Sequence, residues 1–300
     1  MSKVNYISVE EASQNWQISE RSVRNYCAQG RVEGALLEGK TWKIPSTAEK
    51  PDRKPRHSSA EETLLAFLKR EKDAGLNGGI YHKIQIDLTY NSNHIEGSKL
   101  THDQTRYIFE TKTLGVTDKA VKVDDIVETI NHFRCIDLVI EGANTKLTES
   151  FIKQLHFILK SGTTDSQKSW FKVGDYKMLE NEVGGSETTK PAEVAGAIKA
   201  LLKEYNSKSK ITFDDILDFH VRFESIHPFQ DGNGRVGRLI MFKECLKHNI
   251  VPFIITEELK MYYYRGIKNW KTERGFLRDT CFTGQDAMKT TLDYFGIKYE

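Results

Sequence analysis

Apolar residues recur at helix-like intervals along most of this chain and alternate in a strand-like way in only a few short places. Phe213, Ile216, Leu217, Phe219, Phe223 and Ile226 share helical spacing, and Leu239, Ile240, Phe242, Cys245 and Leu246 resume it after a break. The stretches 64–70, 80–90, 122–140 and 147–159 follow the same period, and Pro191 opens another helix running to Tyr205. Gly97 stops one helix, and the capping box Thr101–Gln104 starts the next. Near the N-terminus a capping box, Ser8 to Glu11, begins a short helix through Ala12, with a turn from Asn15 to Ile18. Ser19 caps a second helix that Gly30 ends. Val32 to Leu37 and Thr41 to Ile44, joined by Glu38-Gly39, read as a β-hairpin, and a second hairpin is expected between Val173 and Pro191.

Composition adds boundaries. Three hundred residues suggest about two domains, and 38% hydrophobic with 29% charged residues describes a soluble globular protein. No apolar run is long enough to span a membrane. Met-Ser-Lys-Val-Asn at the start carries no apolar signal core, and the four cysteines (Cys27, Cys135, Cys245 and Cys281) lack ligand-like spacing. Reduced thiols and a cytoplasmic location are expected. The net charge of +2 is uneven: residues 1–57 hold ten Lys/Arg against seven Asp/Glu, or +3, leaving −1 for the rest.

The break between the two helical patterns carries the chemistry. It reads His227-Pro-Phe-Gln-Asp-Gly-Asn-Gly-Arg-Val-Gly-Arg238. Pro228 disfavours helix at His227, and three glycines within six residues let backbone approach a ligand closely. A helix N-terminus presents unpaired amides and a positive dipole end, which attract anions. Arg235 and Arg238, spaced by three in that first turn, are disfavoured by the dipole unless a polyphosphate sits there. Asp231 would repel phosphate unless a divalent cation lay between them, and Mg²⁺ suits carboxylate plus phosphate oxygens. His227 is the one group in the stretch able to take a proton near neutral pH.

The stretch resembles the signature of the Fic family, His-x-Phe-x-Asp/Glu-Gly-Asn-Gly-Arg-x-x-Arg, at every specified position. The resemblance implies transfer of AMP from ATP to a Ser, Thr or Tyr hydroxyl of a protein. It assigns His227 as base and Asp231 to Mg²⁺. Phe229, Gly232, Asn233, Gly234, Arg235 and Arg238 fall to the nucleotide side, with Arg238 on the γ-phosphate. The phosphorylating Doc branch has lysine where this chain has Gly234, which favours nucleotidyl transfer. Ser92 to Gly97 fits the family's inhibitory pattern, Ser/Thr-x-x-x-Glu-Gly/Asn, so that Ser92, Glu96 and Gly97 would form a restraint. In it Glu96 pairs with Arg238 through a bidentate bond in the γ-phosphate position. The hairpin after Val173 would be the flap that aligns a target segment as an added strand, with Met178, Leu179 and Glu180 in its tip or strands. Tyr263, within Tyr262-Tyr263-Tyr264, would line an adenine pocket. His132 and His156, on other helices, are read as structural.

Helix, turn, helix and hairpin at the N-terminus resemble a small winged helix-turn-helix of the MerR and excisionase type. Arg21, Arg24, Asn25, Arg31, Lys40 and Lys43 are its candidate contacts to duplex DNA. The expected organisation is a winged helix-turn-helix over 1–45, a basic Pro- and Ser-rich linker over 46–62, and a Fic domain over 63–300 with its inhibitory helix around 85–97. The fold class is mainly α: an all-helical Fic core with a small β-hairpin flap, plus that N-terminal domain. Expected partners are a hydroxyl-bearing protein, the chain itself among the candidates, and DNA; no membrane is expected, and homo-oligomers stay open. Two rivals remain: removal of AMP at the same site, with Glu96 orienting a water, and a DNA-binding regulator whose Fic domain senses nucleotide.

Overall fold

The computed structural model describes residues 5–28, 30–39, 41–51, 63–115, 120–183 and 185–299. Contacts divide the chain into two compact units, 1–57 and 58–300. Most of the expected linker lies outside the described residues.

In the smaller unit β1 (Tyr6–Ile7), α1 (Val9–Trp16), α2 (Glu20–Ala28), β2 (Leu36–Glu38) and β3 (Thr41–Pro45) follow one another. The expected capping box is present: Ser8 Oγ accepts from Glu11 N, and Glu11 Oε2 accepts from Ser8 N. The helix outruns its expected end because Trp16 is buried against the same core as Val9 and Ala12, and Gln17 then turns left-handed at φ +53°. Gly30, at φ +67°, lies just past α2, and its amide donates to Cys27 O. The hairpin pairs Leu36↔Lys43 and Glu38↔Thr41. The short β1, unannounced in the sequence, pairs with the far edge of β3 to give the order β1-β3-β2.

The larger unit is built from helices. They are α3 (Leu64–Asp73), α4 (Ile80–Ile95), α5 (His102–Thr111), α6 (Val123–Gly142), α7 (Glu149–Lys160), α8 (Pro191–Ser207), α9 (Phe213–Ile226), α10 (Asn233–Lys247), α11 (Glu257–Asn269) and α12 (Gly275–Phe295). A hairpin of two-residue strands, β4 (Glu182–Val183) and β5 (Ser186–Glu187), interrupts them. α10 is the centre. Every residue from Arg235 to Leu246 is buried, and α3, α4, α6, α7 and α9 pack around it. Its polar residues are therefore paired: Lys243 Nζ donates to Ala143 O, Thr145 O and Glu244 Oε1, while Glu244 also accepts from Tyr205. Each fully buried Leu or Ile on this helix stabilises by about 1.5–3 kcal/mol.

All four cysteines are buried and unpaired. Among the described residues no helix is long and apolar enough to cross a membrane. Close approach of α11 to α12 depends on Gly266, where a Cβ would stand 2.6 Å from Leu277 Cα and 2.7 Å from its backbone nitrogen. Gly266→Ala should therefore cost about 1–3 kcal/mol through overpacking, less the roughly 1 kcal/mol that alanine gains in a helix. Thermal melting should show a Tm lowered by a few degrees, and an unchanged Tm would mean that α12 yields freely.

Candidate active site

The site forms where α9 ends and α10 begins. α9 stops because His227 adopts a left-handed conformation, φ +50° and ψ +63°, with its amide donating to Phe223 O. Such a conformation in a non-glycine residue is strained and is kept only where its surroundings impose it. Phe229 imposes it from one side. Its ring is fully buried and stacks on His156 at 4.0 Å between centroids, within 4° of parallel. Asn233 imposes it from the other, bridging both the amide and the carbonyl of Phe229 at 2.8 Å. Phe229 and Asn233 thus build the loop from beneath, with both side chains buried.

Gly232, at φ +81°, caps α10 without any side-chain hydrogen bond to the first-turn amides. Glu96 lies over that turn: a Cβ on Gly234 would stand 2.3 Å from Glu96 Oε1. The same carboxylate oxygen accepts from Arg238 Nη2 at 2.7 Å. The contact is single rather than bidentate, and Arg238 also binds Ser92, donating to Oγ from Nε and to the carbonyl from Nη2, both at 3.0 Å. Ser92 and Glu96 stand one turn apart at the end of α4, which Gly97 leaves at φ +97°. Arg238 is buried; burial alone would lower its pKa, and Glu96, Tyr263 and Glu224 together more than reverse this.

Asp231 lies in a second ionic cluster. Its Oδ2 accepts from Lys160 Nζ at 2.6 Å and from Arg235 Nη2 at 3.2 Å, and Glu128 pairs with both cations. Lys160 and Arg235 are buried, whereas the Asp231 side chain is 46% exposed. Burial would raise the Asp231 pKa, but Arg235 and Lys160 hold it well below the usual carboxylate range. Arg235 thus braces Asp231, with Glu128 as its second partner. Among the described residues no three His, Cys, Asp or Glu side chains gather into a metal site. One half-exposed carboxylate is still a fitting donor set for Mg²⁺, which keeps waters and usually shares one or two carboxylates with substrate phosphates.

His227 has Nδ1 buried and unpartnered, and burial followed by the Lys177 charge lowers its pKa to about 4. Neutral imidazole with Nε2 left for a ligand is the form a base needs. Beside it on α9, Glu224 has a buried, unpartnered Oε1 facing Gly237, and burial pushes its pKa up to about 8. Tyr263 is buried, with its hydroxyl 2.5 Å from His220 Nε2, whereas its neighbour Tyr264 is 41% exposed. Three adjacent helical residues cannot share a face, so burying Tyr263 turns Tyr262 and Tyr264 outward.

The hairpin lies at 182–187, so Met178, Leu179 and Glu180 form the approach to it rather than its strands or tip. Met178 and Leu179 are about half exposed, and Leu179 N donates to Gln230 Oε1. His132 and His156 are buried and held by Thr89 Oγ1 and by the Gly174 amide. Sequence reasoning missed Glu128, Lys160, Lys177 and Glu224. Glu128 stands 107 residues from Arg235 and Lys160 stands 71 from Asp231, so no local spacing announces them.

With that geometry in view, residues 146–245 match the model of the Fic/DOC family. This supports a Fic domain in the larger unit. The chain is similar to proteins named "Protein adenylyltransferase Fic" from Aedes aegypti (27% identical, 79% of this chain and 45% of that one). The same name is carried by a relative from Drosophila grimshawi (26% identical, 81% and 48%). The chain thus spans about half the length of these curated relatives. Among solved structures, a Fic domain containing signaling protein from Bacteroides thetaiotaomicron aligns with a TM-score of 0.59 at 27% identity, over 79% of this chain and 87% of that one. Fic-1 from C. elegans aligns with a TM-score of 0.59 at 19% identity over 76% and 70%, which speaks to fold alone.

Proposed function

We propose that this chain is a protein adenylyltransferase that moves AMP from ATP to a protein hydroxyl and is held off by Glu96. The observation that carries the reading is the Glu96 carboxylate, an anion already seated on the α10 first turn and on Arg238. A place that holds one anion on a buried guanidinium, beside the first turn of a helix, suits the terminal phosphate of a nucleotide. With Glu96 withdrawn, Arg238 and the amides after Gly232 would bind and orient the phosphates. His227 would take the proton of a Ser, Thr or Tyr hydroxyl at Nε2. The hydroxyl oxygen then bonds to the α-phosphorus as the α–β bridging bond breaks, releasing pyrophosphate. Asp231 would hold Mg²⁺, which when bound neutralises charge on the leaving group. Positioning and fixed charge supply most of the acceleration in such a transfer. Mass spectrometry of the Glu96→Gly protein incubated with ATP and cell lysate should find AMP on a hydroxyl residue. If hydroxyl groups remain unmodified while ATP is bound, the transfer reading fails.

For the smaller unit we infer contact with duplex DNA. Arg21, Arg24, Asn25 and Lys43 are exposed on α2 and β3, although Arg24 is already paired with Glu20 at 2.6 Å and Arg31 lies over the Tyr26 ring. Lys40 lies outside the described residues. Three phosphate contacts would lower affinity roughly forty-fold between 50 and 200 mM salt. Fluorescence anisotropy with a labelled duplex measures this, and a flat salt response would remove the idea.

A further inference from the structure

Lys177 is 3% exposed, yet among the described residues none of its hydrogen-bond partners is a carboxylate. Its Nζ donates instead to Asn181 Oδ1 and Thr188 Oγ1, both at 2.6 Å, and reaches Ile226 O at 3.5 Å. Burying an ammonium among neutral acceptors is costly, and a chain keeps such an arrangement only where something else holds it. Here the acceptors form one unit. Asn181 and Thr188 flank the 182–187 hairpin, and Thr188 Oγ1 also donates to the Asn181 carbonyl. Asn181 Nδ2 donates to Phe229 O, and the Lys177 amide donates to Pro228 O. Both ends of the hairpin are therefore gathered on one ammonium and tied to residues 226–229, the backbone that carries His227.

We propose that Lys177 is a positioning residue for the transfer, clasping both ends of the hairpin to the His227 loop so that target segment and base stay in register. The inference rests on the adenylyltransferase reading for its purpose, but the clasp can be measured without it. Lys177 also acts through its charge. The groups facing His227 are Lys177 from the hairpin base, Glu96 from α4, Asp231 from the loop and the Glu224 backbone from its own helix. Lys177 alone of these opposes protonation, adding to burial. Its own pKa is lowered by burial to about 8, with Glu180 opposing the shift, so it carries charge at neutral pH.

The test compares Lys177→Met, Lys177→Arg and Thr188→Val in the full chain. Losing the positive charge should raise the His227 pKa from about 4 toward 6.5, so its neutral form disappears at a higher pH than in the parent. A histidine NMR titration should show an upward shift of roughly one unit or more in Lys177→Met, with Lys177→Arg restoring the parent value. Hydrogen exchange over 179–188 should quicken about ten-fold in both Lys177→Met and Thr188→Val, with the His227 titration unmoved in Thr188→Val. Unchanged exchange and an unchanged titration in Lys177→Met would overturn the proposal. Should Lys177→Met fail to fold, Thr188→Val decides: quickened exchange supports the clasp and parent-like exchange overturns it. Loss of transfer in every variant, Glu96→Gly included, would instead count against the enzyme reading, because titration and exchange still decide the clasp.

Discussion

Glu96→Gly should raise AMP transfer roughly ten- to a hundred-fold over the parent. The estimate comes from the bond that is lost. Glu96 Oε1 makes one charge-assisted contact to Arg238 at 2.7 Å, and hydrogen bonds to charged groups contribute about 1.5–3 kcal/mol. That energy must be displaced before a γ-phosphate takes the place, and it converts to one to two orders of magnitude in binding. Truncation also clears the space above Gly234, now filled by the carboxylate. The Ser92 contacts to Arg238 remain, so the guanidinium should keep its position. Transfer from α-labelled ATP, measured for both proteins, gives the ratio directly. A ratio near one would mean that Glu96 restrains nothing.

His227→Ala, made in the Glu96→Gly background, should lower transfer about 10²- to 10⁴-fold while leaving ATP uptake nearly unchanged. The imidazole takes no part in the Glu96–Arg238 contact, which marks the proposed phosphate seat. Alanine accepts a positive φ poorly, so some loop relaxation is expected as well. His227→Asn separates the two effects, because asparagine tolerates that conformation and is no base. Calorimetry with ATP and single-turnover transfer together settle the assignment. If uptake falls in parallel with transfer, His227 binds instead of reacting.

The helical body was legible because buried faces repeat at a fixed interval, and α6 to α10 start within a few residues of the expected places. The loop at 227–238 was legible for a local reason: proline, glycines and a helix start fix its backbone without help from afar. The direction of each side chain was less so. Arg235 turns to Glu128 and Asp231, and Phe229 packs on His156, because the neighbours that attract them come from α6 and α7. Glu96 was found only through its pattern with Ser92, and even there the guanidinium was shared differently from expectation. The hairpin falls inside the expected 173–191, but its pairing begins at Glu182, past Met178, Leu179 and Glu180.

α10 is enclosed on all sides by other helices, whereas the last turn of α4 ends beside solvent at Gly97. The surface proposed to receive phosphate therefore shares the packing of the interior. If Glu96 restrains the site as proposed, freedom to switch belongs to the tail of the neighbouring helix, where a single unwound turn would swing its carboxylate outward. Release of activity on this architecture calls for a loosened helix end, with the seat behind it left intact.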